Sequence, residues 1–288
     1  MASFGMKETE GFFREMSERT AVMGILNVTP DSFSDGGLHA SVDTAVKAAI
    51  EMMEDGADII DIGGESTRPG APLVPAEEEL ARVAPVMETL SAAVEVPISI
   101  DTRKADVAEK ALELGATVVN DISAMRHDPR MVDVVRDHAS DVILMHMAGT
   151  PENMQKDPSY PRGIMVELEE FFRERIEFAQ SHGIALERLS IDPGIGFGKT
   201  LEHNLTIIRE LAQLKSLGLP IVVGPSRKSF IGKVLDLEVC ERTEGTAAAV
   251  ALCVANGANV VRVHDVKEMA RVARVSDAVV RSATGFQD

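Results

Sequence analysis

Charged and amide residues stand at or directly after the ends of eight short apolar runs. In chain order they are Asn27, Asp61, Asp101, Asn120 with Asp121, His146, Asp192, Ser226-Arg227-Lys228, and Arg262 with His264. In parallel strands of one sheet these positions would share one edge, where α/β enzymes bind their ligands. A single aspartate there often caps the next helix instead, and this is an equally good interpretation of Asp121 and Asp265. The eight positions together indicate a binding site.

These residues divide by charge along the chain. The last two runs are followed by the cationic set Lys228, Arg262 and His264, in the part of a barrel that often binds phosphate. Arg262 and His264 are two residues apart, so a continuing strand would point them the same way. The opposite side carries the acceptors Asp101, Asn120 and Asp192. Because a carboxylate can accept two hydrogen bonds from an amino-amidine edge, these residue types predict a donor-rich heterocycle bearing a phosphate-type leaving group.

The apolar runs themselves are typical of buried parallel strands. They are Val22–Val28, Asp58–Ile62, Pro97–Ile100, Thr117–Asn120, Val142–His146, Leu189–Ile191, Ile221–Gly224 and Val260–Val263. Most are continuously apolar, as expected for strands covered on both faces. Amphipathic helical patterns lie between them, and a glycine stands where several of these helices should end: Gly56, Gly115, Gly183, Gly218 and Gly257. The alternation predicts an α/β fold, a (β/α)8 TIM barrel, with an open doubly wound sheet as the alternative.

No proline- or serine-rich linker divides the chain. We therefore expect a short N-terminal extension, residues 1–20, packed against or across the barrel floor, and a single catalytic domain over residues 21–288. Two connections, Thr29–Ala40 and Gly63–Pro75, are rich in Gly, Ser, Pro and Asp and are long for loops between a strand and a helix. Such loops on a rigid scaffold usually carry binding residues.

The composition excludes several classes of protein. Acidic residues outnumber basic ones 46 to 29, giving a net charge of −17, which disfavours binding to nucleic acid or to an anionic membrane. The longest apolar stretch, Ala247–Ala255, is too short to span a bilayer. Cys240 and Cys253 are too few for a cysteine-ligated zinc site. With no secretory signal pattern, the sequence predicts a cytoplasmic protein in a reduced compartment.

One glycine-rich segment, 194–200, superficially matches a phosphate-binding loop. The Walker pattern requires a glycine five residues before Gly198, where this chain has Pro193. We therefore interpret the segment as a mobile wall of the pocket. Motifs of zinc proteases, α/β-hydrolases and calcium-binding EF-hands are not found in the sequence.

Two long segments, Gly24–Gly37 (GILNVTPDSFSDGG) and Asp61–Gly70 (DIGGESTRPG), resemble the signatures of the dihydropteroate synthases, a family of pterin-binding barrel enzymes of the folate pathway. Shorter matches follow in the family's order: Ile100–Thr102, Val119–Ile122, Met145–Met147, Asp192–Phe197, Ser226–Phe230 and Arg262–Asp265. Together they cover nearly the whole chain. One departure is Pro225, where the family more often has a donor-bearing residue.

The resemblance implies a reaction and a set of site residues. In that family p-aminobenzoate displaces diphosphate from 6-hydroxymethyl-7,8-dihydropterin diphosphate, usually in a homodimer that is the target of sulfonamides. It implies that the pterin is held by Asp101, Asn120, Asp192 and Lys228, with Met145 beside its face. It implies that the diphosphate is held by Asn27, Arg262 and His264, with Mg²⁺ at Asn27. Independently of the resemblance, the segment Ser226–Phe230 is expected to open a helix whose first backbone N–H groups attract anions. The resemblance also implies that p-aminobenzoate is framed by Thr67, Arg68, Pro69, Phe197 and Ser229, under a first loop that contains Phe33 and Asp35.

The implied chemistry is a dissociative displacement. Asp101, Lys228, Arg262 and His264 would act on the reacting groups, and both long loops would exclude water. We therefore expect Arg262→Ala or Lys228→Ala to keep the fold but to lose most turnover. Two alternative functions remain. One is a methyltransferase on the same barrel, which needs no cationic site for a diphosphate. The other is a non-catalytic pterin-binding protein, in which the sequences of the two long loops could be lost.

Overall fold

Eight parallel strands form a ring, because each is apolar on both faces and must be covered inside and outside. The computed structural model describes residues 12–15, 18–29, 37–68 and 70–281. The strands are β1 (Ala21–Asn27), β2 (Ile59–Gly63), β3 (Ile98–Asp101), β4 (Val118–Asp121), β5 (Asp141–Met145), β6 (Leu189–Asp192), β7 (Val222–Val223) and β8 (Val260–Val263). Each lies within one residue of its predicted bounds.

The strand order closes the barrel. Neighbours in the sheet run β6-β5-β4-β3-β2-β1-β8-β7, and a parallel bridge between Ile191 and Ile221 joins the two remaining edges. The backbone nitrogen of Ile191 donates to the carbonyl oxygen of Pro220 at 3.0 Å across this seam. The (β/α)8 barrel prediction is confirmed, and the open doubly wound sheet is wrong.

Helices cover the outside of the ring. They are α1 (Phe12–Glu15), α2 (Gly37–Glu54), α3 (Ala76–Ala93), α4 (Ala105–Glu113), α5 (Met131–Asp137), α6 (Ile164–Ser181), α7 (Leu201–Glu210), α8 (Ser229–Leu235), α9 (Thr243–Ala255) and α10 (Val266–Val280). Short 3-10 turns cover Leu186–Arg188, Leu211–Leu217 and Val239–Glu241. The five glycines predicted to end helices all have positive φ, from 69° to 106°, a conformation that glycine adopts without steric cost. Within the described ranges, no helix has the length and apolarity needed to cross a membrane.

Apolar side chains fill the inside of the barrel near the amino-terminal ends of its strands. One apolar layer is built from side chains of alternating strand positions: Met23, Ile59, Val118, Ile143, Val222 and Val260. Phe13 of α1 is buried against this layer, and the backbone nitrogen of Phe12 donates to Asp141 Oδ2 at 2.6 Å. The amino-terminal ends of the strands are thus covered by apolar packing, which leaves the carboxyl ends for polar residues.

Candidate active site

A pocket opens at the carboxyl ends of the strands. Seven residues predicted as site residues line it: Asp101, Asn120, Met145, Asp192, Phe197, Lys228 and Arg262. The other lining residues are Ile122, Gly194, Ile195 and Gly224. These side chains come from segments spread over most of the sequence, and the barrel brings them together because its parallel strands all end at this rim.

Arg262 is held by two carboxylates inside the pocket. Its Nε donates to Asp61 Oδ2 at 2.6 Å, and its Nη2 donates to Asp101 Oδ2 at 2.7 Å. Burial works against the charge of Arg262, but Asp61 and Asp101 raise its pKa, so the guanidinium stays cationic. The sequence placed Arg262 and Asp101 on opposite sides of the site. They instead form an ion pair, because the long arginine side chain reaches across the mouth of the barrel.

Asp61 is the site residue to which sequence reasoning gave no role. It is fully buried, and its Oδ2 accepts hydrogen bonds from Arg262 and from Asn120 Nδ2, the latter at 3.1 Å. With its nitrogen turned to Asp61, Asn120 keeps its carbonyl oxygen as an acceptor for other groups. The available signal was weak: Asp61 is an aspartate within a strand that is otherwise apolar, in the segment DIGG.

The acceptors of the pocket are strongly affected by burial. Burial raises the pKa of Asp101 and nearby Arg262 lowers it, and the net result is a pKa of about 7. Burial raises the pKa of Asp192 to about 6, and a hydrogen bond from the Gly194 nitrogen to Asp192 Oδ1, 2.7 Å long, works in the other direction. Buried Asp101 Oδ1 has no hydrogen-bond partner. An acceptor without a donor in this place is suited to a ligand that brings N–H groups.

Lys228 lies at the other side of the pocket, over an aromatic ring. Its Nζ is 4.1 Å from the centre of the Phe197 ring, a cation–π contact. Burial and nearby Arg262 lower the pKa of Lys228 to about 8, while Asp192 and Asp101 raise it. Lys228 therefore remains largely an ammonium donor at neutral pH.

His264 differs from the cation that the sequence predicted. β8 ends at Val263, so the alternation that would align His264 with Arg262 stops before it, and His264 does not line the pocket. Burial and the neighbouring Arg262 lower the pKa of His264 to about 4, which makes the ring neutral at pH 7. Its Nδ1 is 3.0 Å from Ser226 Oγ, and its backbone nitrogen donates to the same oxygen at 3.2 Å.

The loop between β7 and α8 is anchored through Arg227. This residue has a φ of 57°, and its Nε donates to Asp265 Oδ2 at 3.0 Å beside a second, shorter contact. Its backbone nitrogen donates to Thr246 Oγ1 at 3.0 Å. The side chain of Asp265 makes no helix cap; it holds Arg227, and so places Ser226 and Lys228 on either side.

Asp121 has a structural role, but it does not cap the next helix, because α5 begins only at Met131. Its carboxylate accepts from the backbone nitrogens of Ser123 and Met125, each at 2.7 Å. These bonds satisfy the turn after β4. The residue is buried and does not belong to the pocket lining.

Several predicted site residues lie outside the pocket lining. Asn27 is half-buried at the end of β1, Thr67 is half-buried and Arg68 exposed in the loop after β2, and Ser229 is exposed at the start of α8. Ser226 is buried. Phe33, Asp35 and Pro69 fall outside the described residues. Among the described residues, no group of three or more acidic, histidine or cysteine side chains is arranged for a metal ion.

The base of the loop after β2 rests on a buried cluster of four charges. Lys104 Nζ is 2.7 Å from Glu65 Oε2 and also contacts Glu79, while Arg103 Nη2 is 3.3 Å from Glu65 Oε1. All four side chains are buried. Glu65 Oε1 also accepts from the backbone nitrogen of Val74 at 3.0 Å, which ties the far end of the loop to the residues after Asp101.

We expect Lys104→Met to destabilise the protein by about 3 kcal/mol. The variant leaves two buried carboxylates without their shared cation, and breaking a buried pair from one side costs roughly 3–5 kcal/mol. The free energy of urea unfolding measures this. Lys110→Met, which removes an exposed lysine paired with Glu113, is the matched control and should change it by less than about 1 kcal/mol. Equal effects of the two substitutions would contradict the prediction.

Comparison with known proteins agrees with the residues that line the pocket. A family model described as pterin binding enzyme matches residues 23–264. The dihydropteroate synthase of Synechocystis sp. is 48% identical over 268 residues, which are 93% of this chain and 92% of that protein.

Solved structures of dihydropteroate synthases also resemble this chain. The crystal structure of dihydropteroate synthase from Clostridium difficile in the presence of pteroic acid has a TM-score of 0.87 and 48% identity, covering 95% of this chain and 99% of that one. The Yersinia pestis enzyme in complex with a sulfonamide drug has a TM-score of 0.87 and 44% identity, covering 92% and 95%. These matches favour the synthase over the methyltransferase and over the non-catalytic protein. The chain therefore belongs to the pterin binding enzyme family and, within it, to the dihydropteroate synthases, which are transferases of folate biosynthesis.

Proposed function

We propose that this chain joins p-aminobenzoate to 6-hydroxymethyl-7,8-dihydropterin diphosphate through the pocket described above. The amine nitrogen attacks the methylene carbon, the bond from that carbon to the diphosphate oxygen breaks, and the products are 7,8-dihydropteroate and diphosphate. The proton lost by the amine goes to the departing diphosphate or to solvent. The observation that carries the proposal is the convergence of three acceptors and two cations on one pocket. The relative crystallised with pteroic acid, a pterin joined to p-aminobenzoate, supports it.

The pterin end of the substrate would occupy the acceptor side. Asp192 and the carbonyl oxygen of Asn120 would accept hydrogen bonds from the ring's N–H groups, and Lys228 would donate to its acceptors. Met145 is buried in the wall of this pocket and would contact the face of the ring. Asp101, next to the reacting methylene in this arrangement, would stabilise positive charge that develops there as diphosphate leaves.

The leaving group would be held by Arg262 and His264, with Ser226 between them. Arg262 would share its guanidinium between the carboxylates and the diphosphate oxygens, where its charge stabilises the developing anion. His264 is neutral, so it would act as a hydrogen-bond donor through Nε2 while Nδ1 stays with Ser226. The amine needs no strong base, because an aryl amine is already neutral at pH 7.

Asn27 fits a magnesium site of the kind that relies on substrate phosphates. Mg²⁺ prefers oxygen ligands and often keeps several waters while it takes one or two protein ligands, and Asn27 offers an amide oxygen at the half-buried end of β1. A bound Mg²⁺ would neutralise charge on the diphosphate.

The second substrate would enter from the loop side. We assign Thr67, Arg68 and Pro69, with Ser229 and Phe197, to the p-aminobenzoate. The first loop, which contains Phe33, would cover the site. The loop after β2 is tied to the loop after β5 by a hydrogen bond from the Gly70 nitrogen to the Pro151 oxygen, 3.0 Å long. This contact supports a pocket that is bounded by the loop after β2 and the loop after β5.

A homodimer is part of the proposal. Large apolar side chains are exposed on the neighbouring helices α8, α9 and α10: Val234, Leu235, Leu252, Val275 and Val279. Apolar residues gathered on adjacent helices are suited to covering by a second subunit. Sedimentation equilibrium should therefore give twice the chain mass, and a monomer at micromolar concentration would contradict this part.

The activity is tested by direct assay. Purified protein is mixed with the dihydropterin diphosphate, p-aminobenzoate and Mg²⁺, and 7,8-dihydropteroate and diphosphate are quantified in the same samples. The proposal expects equal amounts of both products, and their loss when Mg²⁺ is chelated. Diphosphate release that does not depend on p-aminobenzoate would indicate hydrolysis instead. No dihydropteroate under any of these conditions would overturn the proposal.

A further inference from the structure

Lys199 ends the glycine-rich wall of the pocket and is buried, with only 3% of its surface exposed. Its Nζ contacts His146 Nδ1 at 3.0 Å, the His146 carbonyl oxygen at 3.3 Å and the Phe197 carbonyl oxygen at 3.0 Å. An ammonium has three protons to donate, and these acceptors use all of them. When Lys199 is protonated, His146 Nδ1 accepts and the neutral ring carries its proton on Nε2. The contacts join the ends of β5 and β6.

The rest of the wall is held by hydrogen bonds as well. The Gly196 carbonyl oxygen accepts from Gln155 Nε2 at 2.7 Å, and the Gly198 carbonyl oxygen accepts from Tyr160 Oη at 2.8 Å. The Gly196 nitrogen donates to Asn204 Oδ1 at 2.7 Å. The backbone nitrogens of Gly194, Gly196 and Phe197 all donate to acceptors within the protein, so they do not form a cradle for phosphate.

A glycine at position 194 is required for this arrangement. Gly194 has a φ of 67°, and a Cβ there would lie 2.0 Å from the His146 carbonyl oxygen. The turn therefore packs directly on the residue that receives the Lys199 ammonium. A change at Lys199 would act on Phe197, which lines the pocket and lies under Lys228.

Lys199 also completes the charges around the pocket. Three buried carboxylates, Asp61, Asp101 and Asp192, are accompanied by three cations, Arg262, Lys228 and Lys199. Arg262 is hydrogen-bonded to Asp61 and Asp101, whereas Asp192 interacts electrostatically with all three cations. Asp192 and Lys199 interact electrostatically. Burial lowers the pKa of Lys199 to about 7, and Asp192 raises it. Lys199 in turn lowers the pKa of Asp192.

We propose that Lys199 is a positioning residue for the pterin: its ammonium fixes the wall that carries Phe197 and supplies positive charge that keeps Asp192 ionised for the ligand's N–H groups. The inference rests on the proposed pterin site. The charged and titratable groups that interact with this pair are His146 after β5, His203 on α7, Lys228 before α8, Cys253 on α9 and Arg262 on β8, and Asp101 on β3 lines the same pocket.

The test compares Lys199→Met with Tyr160→Phe. Both remove hydrogen bonds to the same wall, but only the first removes charge. Binding of 6-hydroxymethylpterin is measured by calorimetry from pH 5.5 to 8.5, without Mg²⁺ or p-aminobenzoate. For the wild-type protein, affinity should fall as the pH drops through about 6, where Asp192 takes up a proton.

In Lys199→Met this fall should begin about one pH unit higher, because Asp192 has lost a neighbouring cation, so Kd should rise about twofold at pH 7 and about eightfold at pH 5.5. The difference should shrink at pH 8.5, where Asp192 is ionised in both proteins. Tyr160→Phe should bind within about twofold of wild type at every pH. Lys199→Gln keeps donors for the wall but no charge; it serves if the methionine variant does not fold, and it should show the same displaced pH profile.

An unshifted profile for both Lys199 variants, or equal effects of Lys199→Met and Tyr160→Phe, would overturn the inference. The outcome is separable from the proposed function. Wild-type protein that binds the pterin but forms no dihydropteroate would sink the function alone. Wild-type turnover together with wild-type pterin binding by Lys199→Met would sink the inference alone.

Discussion

Replacing Arg262 by alanine is expected to lower the rate of dihydropteroate formation about a thousand-fold and also to destabilise the barrel. Removing one preorganised electrostatic contact costs roughly 10²–10³ in rate, and in the proposed arrangement this guanidinium stabilises the departing diphosphate. We still expect the variant to keep its fold, but with reduced stability. Arg262 is bound to Asp61, and a fully buried carboxylate left without its cation costs roughly 3–5 kcal/mol.

A second substitution separates the two effects. In Asp61→Asn/Arg262→Ala the unpaired carboxylate is gone, so the free energy of urea unfolding should recover most of its loss, while the rate of diphosphate release stays low. Arg209→Ala, which removes an arginine from the exposed surface, is the control and should leave both quantities near wild type. A rate for Arg262→Ala within tenfold of wild type would show that the leaving group is stabilised elsewhere.

Asp192→Asn is expected to weaken pterin binding about a thousand-fold, or roughly 4 kcal/mol. Asp192 is buried in the pocket wall, and the amide would present a donor to ring N–H groups that need an acceptor. Sites built for hydrogen bonds discriminate strongly because the unmatched groups stay buried and unpaired. Calorimetry with 6-hydroxymethylpterin measures the change in Kd.

Asp121→Asn is the matched control for Asp192→Asn. It changes another buried aspartate at the end of a strand, β4, but one whose carboxylate oxygens accept hydrogen bonds from backbone nitrogens. It should lower stability and leave the pterin Kd within about threefold. The two variants should also differ in pH dependence. Wild type and Asp121→Asn should bind best above pH 7 and lose affinity as Asp192 is protonated near pH 6, whereas Asp192→Asn should lack this step. A Kd for Asp192→Asn within tenfold of wild type would contradict the assignment.

The sequence alone determined the architecture, because the forces that define strands and helix ends are local. Strands covered on both faces are continuously apolar, so Val260–Val263 and its equivalents could be located to within one residue. Glycines such as Gly115 mark the ends of helices because their φ is positive there. Polar residues at strand ends, such as Asp101 and Asp192, are recognisable as site candidates because a parallel barrel brings all of these strand ends to one rim.

The interactions among those residues depend on how the chain folds in space. Asp61 and Arg262 are 201 positions apart, and no local pattern tells which carboxylate a distant arginine will reach. In the sequence Lys199 resembles part of an incomplete phosphate loop, whereas in the structure its Nζ contacts three acceptors. His264 was counted as a cation, yet burial beside Arg262 makes it neutral. Pairing, desolvation and protonation depend on what surrounds a group in space, and residue types and spacing carry little of that information.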